Sequence, residues 1–132
     1  MTTEILIKPE DLAWAAGLFE GEGCITLQVD KRNTNTYKKM ALFLAMIDED
    51  VVRKFHGIVQ VGNVSLAHTP SMKKNGQKPQ WRWCAYGGEA EELLWELLPH
   101  LGSRRKARSL EVFSQRSSPV YQRTPPVYVK VS

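Results

Sequence analysis

Pro9-Glu-Asp-Leu-Ala-Trp-Ala-Ala-Gly-Leu-Phe-Glu-Gly-Glu-Gly23-Cys-Ile-Thr-Leu-Gln-Val-Asp30 sets a helix, a break and a strand in one short run. Proline suits the first helical position, and Glu10 and Asp11 suit the positive end of the helix dipole, so a helix is predicted from Pro9 to Glu22. Gly23 reads as a left-handed stop. After it, Cys24 to Asp30 alternates apolar and polar residues as a half-buried strand does. Within the helix, Ala13, Gly17 and Gly21 recur every four residues and line one face. An internal glycine costs about 1 kcal/mol relative to alanine, so two of them point to another backbone coming close, from within the chain or from a second copy. Glu22 is the other anomaly, a carboxylate at the negative end of the dipole, where a cation is preferred. Glu20 lies about 200° away round the helix by its pitch, so the two acids cannot serve one site.

The pattern continues outward from this run. Lys31 to Thr36 is turn-like, and Tyr37 to Ile47 returns as a second strand, closing a hairpin. Asp48 is placed to cap a short helix through Val51, Val52, Phe55 and Ile58 that ends near Gly57. A third strand is predicted over Val59 to His68, a lysine-rich loop over Pro70 to Pro79, and a fourth strand over Gln80 to Tyr86. Leu93, Leu94, Leu97 and Leu98 give Glu89 to Leu101 the period of an amphipathic helix, and a last helix follows from Arg104 to Ser114. The order α-β-β-α-β-β-α-α predicts an α+β domain over residues 1–116. In it an antiparallel four-stranded sheet has helices on one face and leaves the other open. Residues 117–132, with Pro119, Pro125 and Pro126, are expected to be an extended or disordered tail.

At 132 residues the chain has the size of one domain. Cys24 and Cys84 lie far apart and form no CxxC pair, which gives neither a zinc cluster nor a disulfide framework. The N-terminus carries no secretory pattern and no stretch approaches the roughly 18 apolar residues of a membrane span, so a chain that is neither secreted nor membrane-bound is expected. The net charge of +4 favours a polyanionic partner. Its placement adds to that: Lys38-Lys39, Lys73-Lys74, Lys78 with Arg82, and Arg104-Arg105-Lys106 with Arg108 are basic, whereas Glu89, Glu91, Glu92 and Glu96 form an acidic segment.

Ala15-Ala-Gly-Leu-Phe-Glu-Gly-Glu-Gly23, followed by Cys24-Ile25, resembles the LAGLIDADG motif of homing endonucleases, with alanine for the first leucine and glutamates at both acidic positions. The αββαββα order, the Leu97-Leu-Pro-His-Leu101 run and the basic stretch from Ser103 to Leu110 resemble the rest of that fold, with its four-stranded saddle sheet. One motif per chain implies a homodimer joined through Ala13, Ala16, Gly17, Glu20 and Gly21, and two-fold symmetry implies a near-palindromic double-stranded DNA target. The resemblance implies that Glu22, with the backbone of Gly21, holds Mg²⁺ or Mn²⁺ beside a scissile phosphate, and that cutting leaves 3′ overhangs. It sets Glu49, or its neighbour Asp48, where a water-orienting residue stands, and Arg104 at a charge-neutralising position usually held by lysine. The chain would act in the cytoplasm, or in whatever organelle or nucleoid holds its target.

Alternation and the resemblance agree on which residues the sheet would turn outward, toward DNA: Cys24, Thr26, Gln28, Asp30 and Arg32 in the first strand, Asn63 and Ser65 in the third, and Gln80 and Arg82 in the fourth. In the second strand Met40 to Ile47 is apolar throughout, so only Tyr37 and Lys39 are assigned. Lys73, Lys74, Lys78, Arg105 and Lys106 are expected on backbone phosphates. Trp14, Trp81, Trp83 and Trp95 read as core aromatics and His56, His68 and His100 as structural. A non-cleaving relative that binds DNA or RNA, such as an intron maturase or a transcriptional regulator, is the main alternative, and a protein-interaction module is a third.

Overall fold

Helix α1 spans Pro9–Glu22, with the proline in its first turn, and hands over at once to strand β2, Gly23–Arg32. The computed structural model describes residues 4–32, 35–117 and 125–131. Ahead of α1 lies a short strand, β1, Glu4–Ile7; after β2 come β3 (Asn35–Met46), α2 (Glu49–Val59), β4 (Asn63–Ala67), α3 (Pro70–Lys74), β5 (Gln80–Tyr86) and α4 (Gly87–Leu97). A 3-10 turn at Leu98–His100, helix α5 (Ser103–Gln115) and strand β6 (Val127–Lys130) complete the order.

The four-stranded sheet has the order β2-β3-β5-β4 with every neighbouring pair antiparallel. One face carries Ile25, Met40, Leu42, Leu44, Trp83 and Ala85, all buried, against Leu12, Phe19, Phe55, Leu93, Leu94 and Leu97 from the helices. Each buried Leu, Ile, Met or Phe side chain among them contributes about 1.5–3 kcal/mol on leaving water. Trp83 is fixed twice: its indole N–H donates to the Val61 carbonyl at 2.9 Å, and its ring meets Phe55 edge-on at 4.8 Å. The predicted α+β architecture, with helices on one face of an antiparallel sheet, is therefore the observed one. Among the described residues no helix is long and apolar enough to cross a membrane.

Several expectations need correction. Gly23 is extended, at φ −80° and ψ 161°, not left-handed. A glycine is needed there because a Cβ would come within 2.5 Å of the buried Phe19 ring. Helix α2 continues through Gly57 to Val59, and Gln60, at φ 62°, takes the left-handed position that ends it. The third strand therefore begins only at Asn63. The lysine-rich loop contains helix α3, capped by the Thr69 hydroxyl, which accepts the Met72 amide at 3.1 Å. Trp95 is not a core aromatic, being 51% exposed while stacked on Phe113.

The tail is the largest departure. Ser117 is held to β3, its amide donating to the Lys38 carbonyl and its hydroxyl accepting the Lys38 amide. Residues 118–124, including Pro119, lie outside the described part of the chain. Beyond them, β6 pairs in parallel with β1, and the Tyr128 hydroxyl donates to the Val59 carbonyl at 2.7 Å. Val127–Lys130 is extended because it is half of a two-stranded sheet, which ties the end of the chain to the strand that leads into α1.

Candidate nucleic-acid interface

Directly opposed residues in an antiparallel pair point to the same side, so the ladder fixes the composition of the open face. Thr26 opposes Ala41, Gln28 opposes Lys39 and Asp30 opposes Tyr37; Ala45 opposes Arg82 and Ala41 opposes Tyr86; Ser65 opposes Arg82, Asn63 opposes Cys84 and Ala67 opposes Gln80. Thr26, Gln28, Asp30, Tyr37, Lys39, Asn63, Ser65, Gln80 and Arg82 thus share one side of the sheet. Arg32 pairs with Asn35 on the last rung, and its side chain lies outside the described part of the structure.

The failed alternation of β3 has a physical account. Its apolar residues on the open side form a platform on which cations rest. Arg82 lies over the Phe43 ring at 4.3 Å, Lys39 over the Tyr86 ring at 5.0 Å, and the two rings meet edge-on at 5.8 Å. A hydrogen bond with Cys84 raises the Tyr86 pKa above its ordinary range, and burial and the neighbouring thiol add to that. The Arg82 charge and a hydrogen bond with Gln28 pull it the other way. Phe43, Tyr86 and Cys84 belong to this face and were missed because an apolar strand residue reads as core; the only clue in the sequence was the breakdown of alternation itself.

Glu22 is exposed, and a cleft of about 380 Å³ opens between it and Cys24, Phe43, Ala45, Ala67, Gln80 and Arg82. The carboxylate therefore stands at the edge of the open face. Ala13, Gly17 and Gly21 are exposed as well, and a Cβ built at either glycine would meet nothing within 4 Å. No helix among the described residues covers them. Ala16 does not belong to that surface: it is fully buried in the core. Glu20 faces the chain's own second half, accepting the Gly102 amide at 3.1 Å and lying 3.7 Å from Arg105 Nε.

The basic stretch at the start of α5 divides by role. Arg105 donates to the carbonyls of Glu20 and Gly23, and Arg108 to that of Ile25. Both tie α5 to the junction of α1 and β2, which gives Arg105 a structural role within the chain. Lys106 lines an apolar groove with Trp95, Leu98, Pro99 and Leu110, away from the residues of the open face. Arg104 is exposed in the first turn of α5. Glu49, in the first turn of α2, pairs with Arg53 at 2.8 Å, and Asp48 is the N-cap residue without a side-chain cap bond. Lys73, Lys74 and Lys78 are exposed. His56 is half-buried and His100 exposed, while His68 has a buried Nε2 with no partner among the described residues.

A divalent cation requires hard oxygen donors. Among the described residues no three His, Cys, Asp or Glu side chains gather to hold one. Glu22 offers a single carboxylate, exposed and engaged by no hydrogen bond or ion pair among the described residues, with the Gly21 carbonyl one residue before it. That donor set fits half of a site shared across a two-fold axis.

No family model matches the sequence, and no curated protein matches it. The fold does have solved counterparts. The homing endonuclease I-CvuI, in complex with its target in the presence of calcium, superposes with a TM-score of 0.61 at 21% identity over 79% of this chain and 64% of that one. The LAGLIDADG meganuclease I-CpaMI bound to uncleaved DNA gives 0.61 at 12% identity, covering 78% of this chain and 34% of that one. The archaeal intron-encoded homing endonuclease I-Vdi141I complexed with DNA gives 0.57 at 7% identity, covering 86% of this chain and 89% of that one. The chain thus spans less than two thirds of I-CvuI and about a third of I-CpaMI.

Proposed function

From the premise that this chain has the LAGLIDADG homing-endonuclease fold, we propose that it is a site-specific, metal-dependent endonuclease acting on double-stranded DNA as a homodimer. The observation that carries this reading is the position of Glu22. It ends an uncovered face of small residues and opens into a cleft on the same side of the sheet as the polar row from Thr26 to Arg82. Two chains abutting along Ala13, Gly17 and Gly21 would bring two copies of Glu22 together at one end of the helix pair. Repulsion between the carboxylates favours a divalent cation between them.

Glu22 and the Gly21 carbonyl would hold Mg²⁺ or Mn²⁺, which when bound activates water and stabilises the leaving 3′ oxygen. The chain's own groups do the rest. Gln28, Lys39 and Arg82 meet base edges in the major groove, a strand pair being narrow enough to enter it. Arg104 neutralises charge that builds on the phosphate. Identical half-sites related by the dimer axis make the target near-palindromic, and cuts staggered across it leave 3′ overhangs. Incubating the protein and Mg²⁺ with duplexes selected from a random pool tests the reading. Double-strand cuts within the selected site are expected, with Glu22→Gln retaining binding and losing the cuts. Cutting that survives in Glu22→Gln would overturn it.

One observation favours a second reading, binding without cleavage, as in a maturase or a regulator. Glu49, assigned to orient water, is paired with Arg53 and would have to leave that partner to act. Selected duplexes that bind tightly but stay whole with Mg²⁺ or Mn²⁺ would establish it.

A further inference from the structure

The ladder places the connection between β4 and β5 at the same end of the sheet as Glu22. Ala67 and Gln80 form the last rung of that hairpin and both line the cleft beside Glu22, so residues 68–79 leave and re-enter the sheet there. The last rung of the β2–β3 pair, Arg32 with Asn35, lies at the opposite end. Nine residue steps separate Gly23 from Arg32, about 30 Å at roughly 3.4 Å per residue.

The connection is a built element. The Thr69 side chain caps α3, and the Lys73 and Asn75 amides donate to the Thr69 and Ser71 carbonyls. The Gln77 amide returns to the Met72 carbonyl at 2.8 Å. Met72 shares a second cleft with Ile47, Lys78 and Gln80, so the element leans across the end of β3 toward the start of α2. Lys73, Lys74 and Lys78 are all exposed. From Val51 to Gly88 the sequence has no Asp or Glu, while it has Arg53, Lys54, Lys73, Lys74, Lys78 and Arg82. No carboxylate of its own stretch competes for these lysines.

Resting on the dimeric DNA-binding reading above, we infer that residues 68–79 form a phosphate clamp on the central base pairs of the target, seating the DNA backbone over Glu22. Strand β2 leaves directly from the end of α1, so the Glu22 end of each sheet is the end nearest the two-fold axis. The two α3 elements of a dimer then flank that axis, and the Arg32–Asn35 ends of β2 and β3 reach the outer flanks. Ordinary solvated lysines would leave the salt dependence of binding unchanged when they are neutralised.

The test uses duplexes enriched from a random pool by the intact chain. Ser71→Cys, in a Glu22→Gln, Cys24→Ser, Cys84→Ser background, carries a phenanthroline–copper cleaver. The matched control carries it at Lys31→Cys, near the far end of β2. Scission from Ser71→Cys is expected in one cluster at the dyad. Scission from Lys31→Cys is expected about nine base pairs out on each side, since about 34 Å spans ten base pairs. Lys73→Gln, Lys74→Gln and Lys78→Gln together should weaken binding at least tenfold and flatten the log K against log salt slope by about 5, for three contacts from each subunit. Melting should be unchanged, because all three side chains are exposed. Central scission that is absent, or a triple variant binding as tightly as the parent, overturns the clamp while leaving the nuclease reading intact. Failure of the intact chain to enrich any duplex overturns both.

Discussion

Glu20 and Gly102 are joined across the molecule, the carboxylate of one accepting the amide of the other at 3.1 Å. This bond separates the two acids of the motif. Glu20 looks inward to the start of α5 and Glu22 looks out over the open face. We predict that Glu20→Ala loses about 1 kcal/mol of stability and lowers the melting temperature by a few degrees. Glu22→Ala should melt within a degree or so of the parent, because no partner among the described residues is lost. Calorimetry on the two variants checks this, and the reverse order would show that the motif's acids have been assigned the wrong way round.

Two glycines a few residues apart should respond in opposite senses. A Cβ at Gly17 would meet nothing within 4 Å, whereas one at Gly23 would press on the Phe19 ring at 2.5 Å. Gly17→Ala therefore gains about 1 kcal/mol of helix propensity in the separated chain, and Gly23→Ala loses about 1–3 kcal/mol through overpacking. The proposed dimer adds a second expectation: Gly17→Ala weakens self-association in sedimentation runs even as it raises the melting point at low concentration. A Gly17→Ala chain that dimerises like the parent would show that partners do not meet on this face.

How much could be read without coordinates follows from how local each signal is. The helix from Pro9 to Glu22 and the strand from Gln80 to Tyr86 rest on caps, glycines and alternation within a few residues and appear where expected, while the strands of the hairpin run on through Lys31–Arg32 and Asn35–Thr36, into the stretch that its polar residues mark as turn-like. The polar row of the open face was legible for the same reason, since period-two alternation fixes the side on which a residue lies. What escaped depends on distant contacts. That Arg105 serves the carbonyls of Glu20 and Gly23 cannot be told from Arg104 beside it by composition. Strands β1 and β6 exist only by pairing with each other, and neither is long enough to announce itself. Ala16 was assigned to the uncovered face although helix geometry turns it about 100° from Gly17, and there it meets the core.

Phe43 under Arg82 gives a prediction about selectivity. A guanidinium held over a ring keeps its donors in a narrow range of directions, which suits a two-point contact with guanine. Arg82→Ala is expected to cost about 1–3 kcal/mol at the base it reads and to relax the choice there. Phe43→Leu leaves the charge in place but removes the platform, so it should lower the ratio of specific to non-specific binding several-fold and leave non-specific affinity unchanged. Binding assays with each base substituted at each target position distinguish the two. If Phe43→Leu reads its target as sharply as the parent, the stacking is incidental.

Tyr128 connects pH to the end of the chain. Its hydroxyl donates to the Val59 carbonyl, and burial, with the negative charges of Glu89, Glu96 and Glu92 behind it, raises its pKa well above the ordinary range. A phenol whose pKa rises on folding is favoured in its neutral form by the fold. Its contribution is whole below about pH 10, where the unfolded tyrosine begins to ionise, and is lost as pH climbs from there toward the folded value. We predict that melting temperature falls above about pH 10 and that Tyr128→Phe falls less steeply, while at pH 7 it starts about 1 kcal/mol lower for want of the bond to Val59. Tyr86, shifted in the same direction, accounts for some of the slope, so Tyr86→Phe is the comparison to run beside it. If Tyr128→Phe follows the parent through the alkaline limb, β6 does not hold that hydroxyl against Val59 in solution, and the end of the chain is not part of the folded unit.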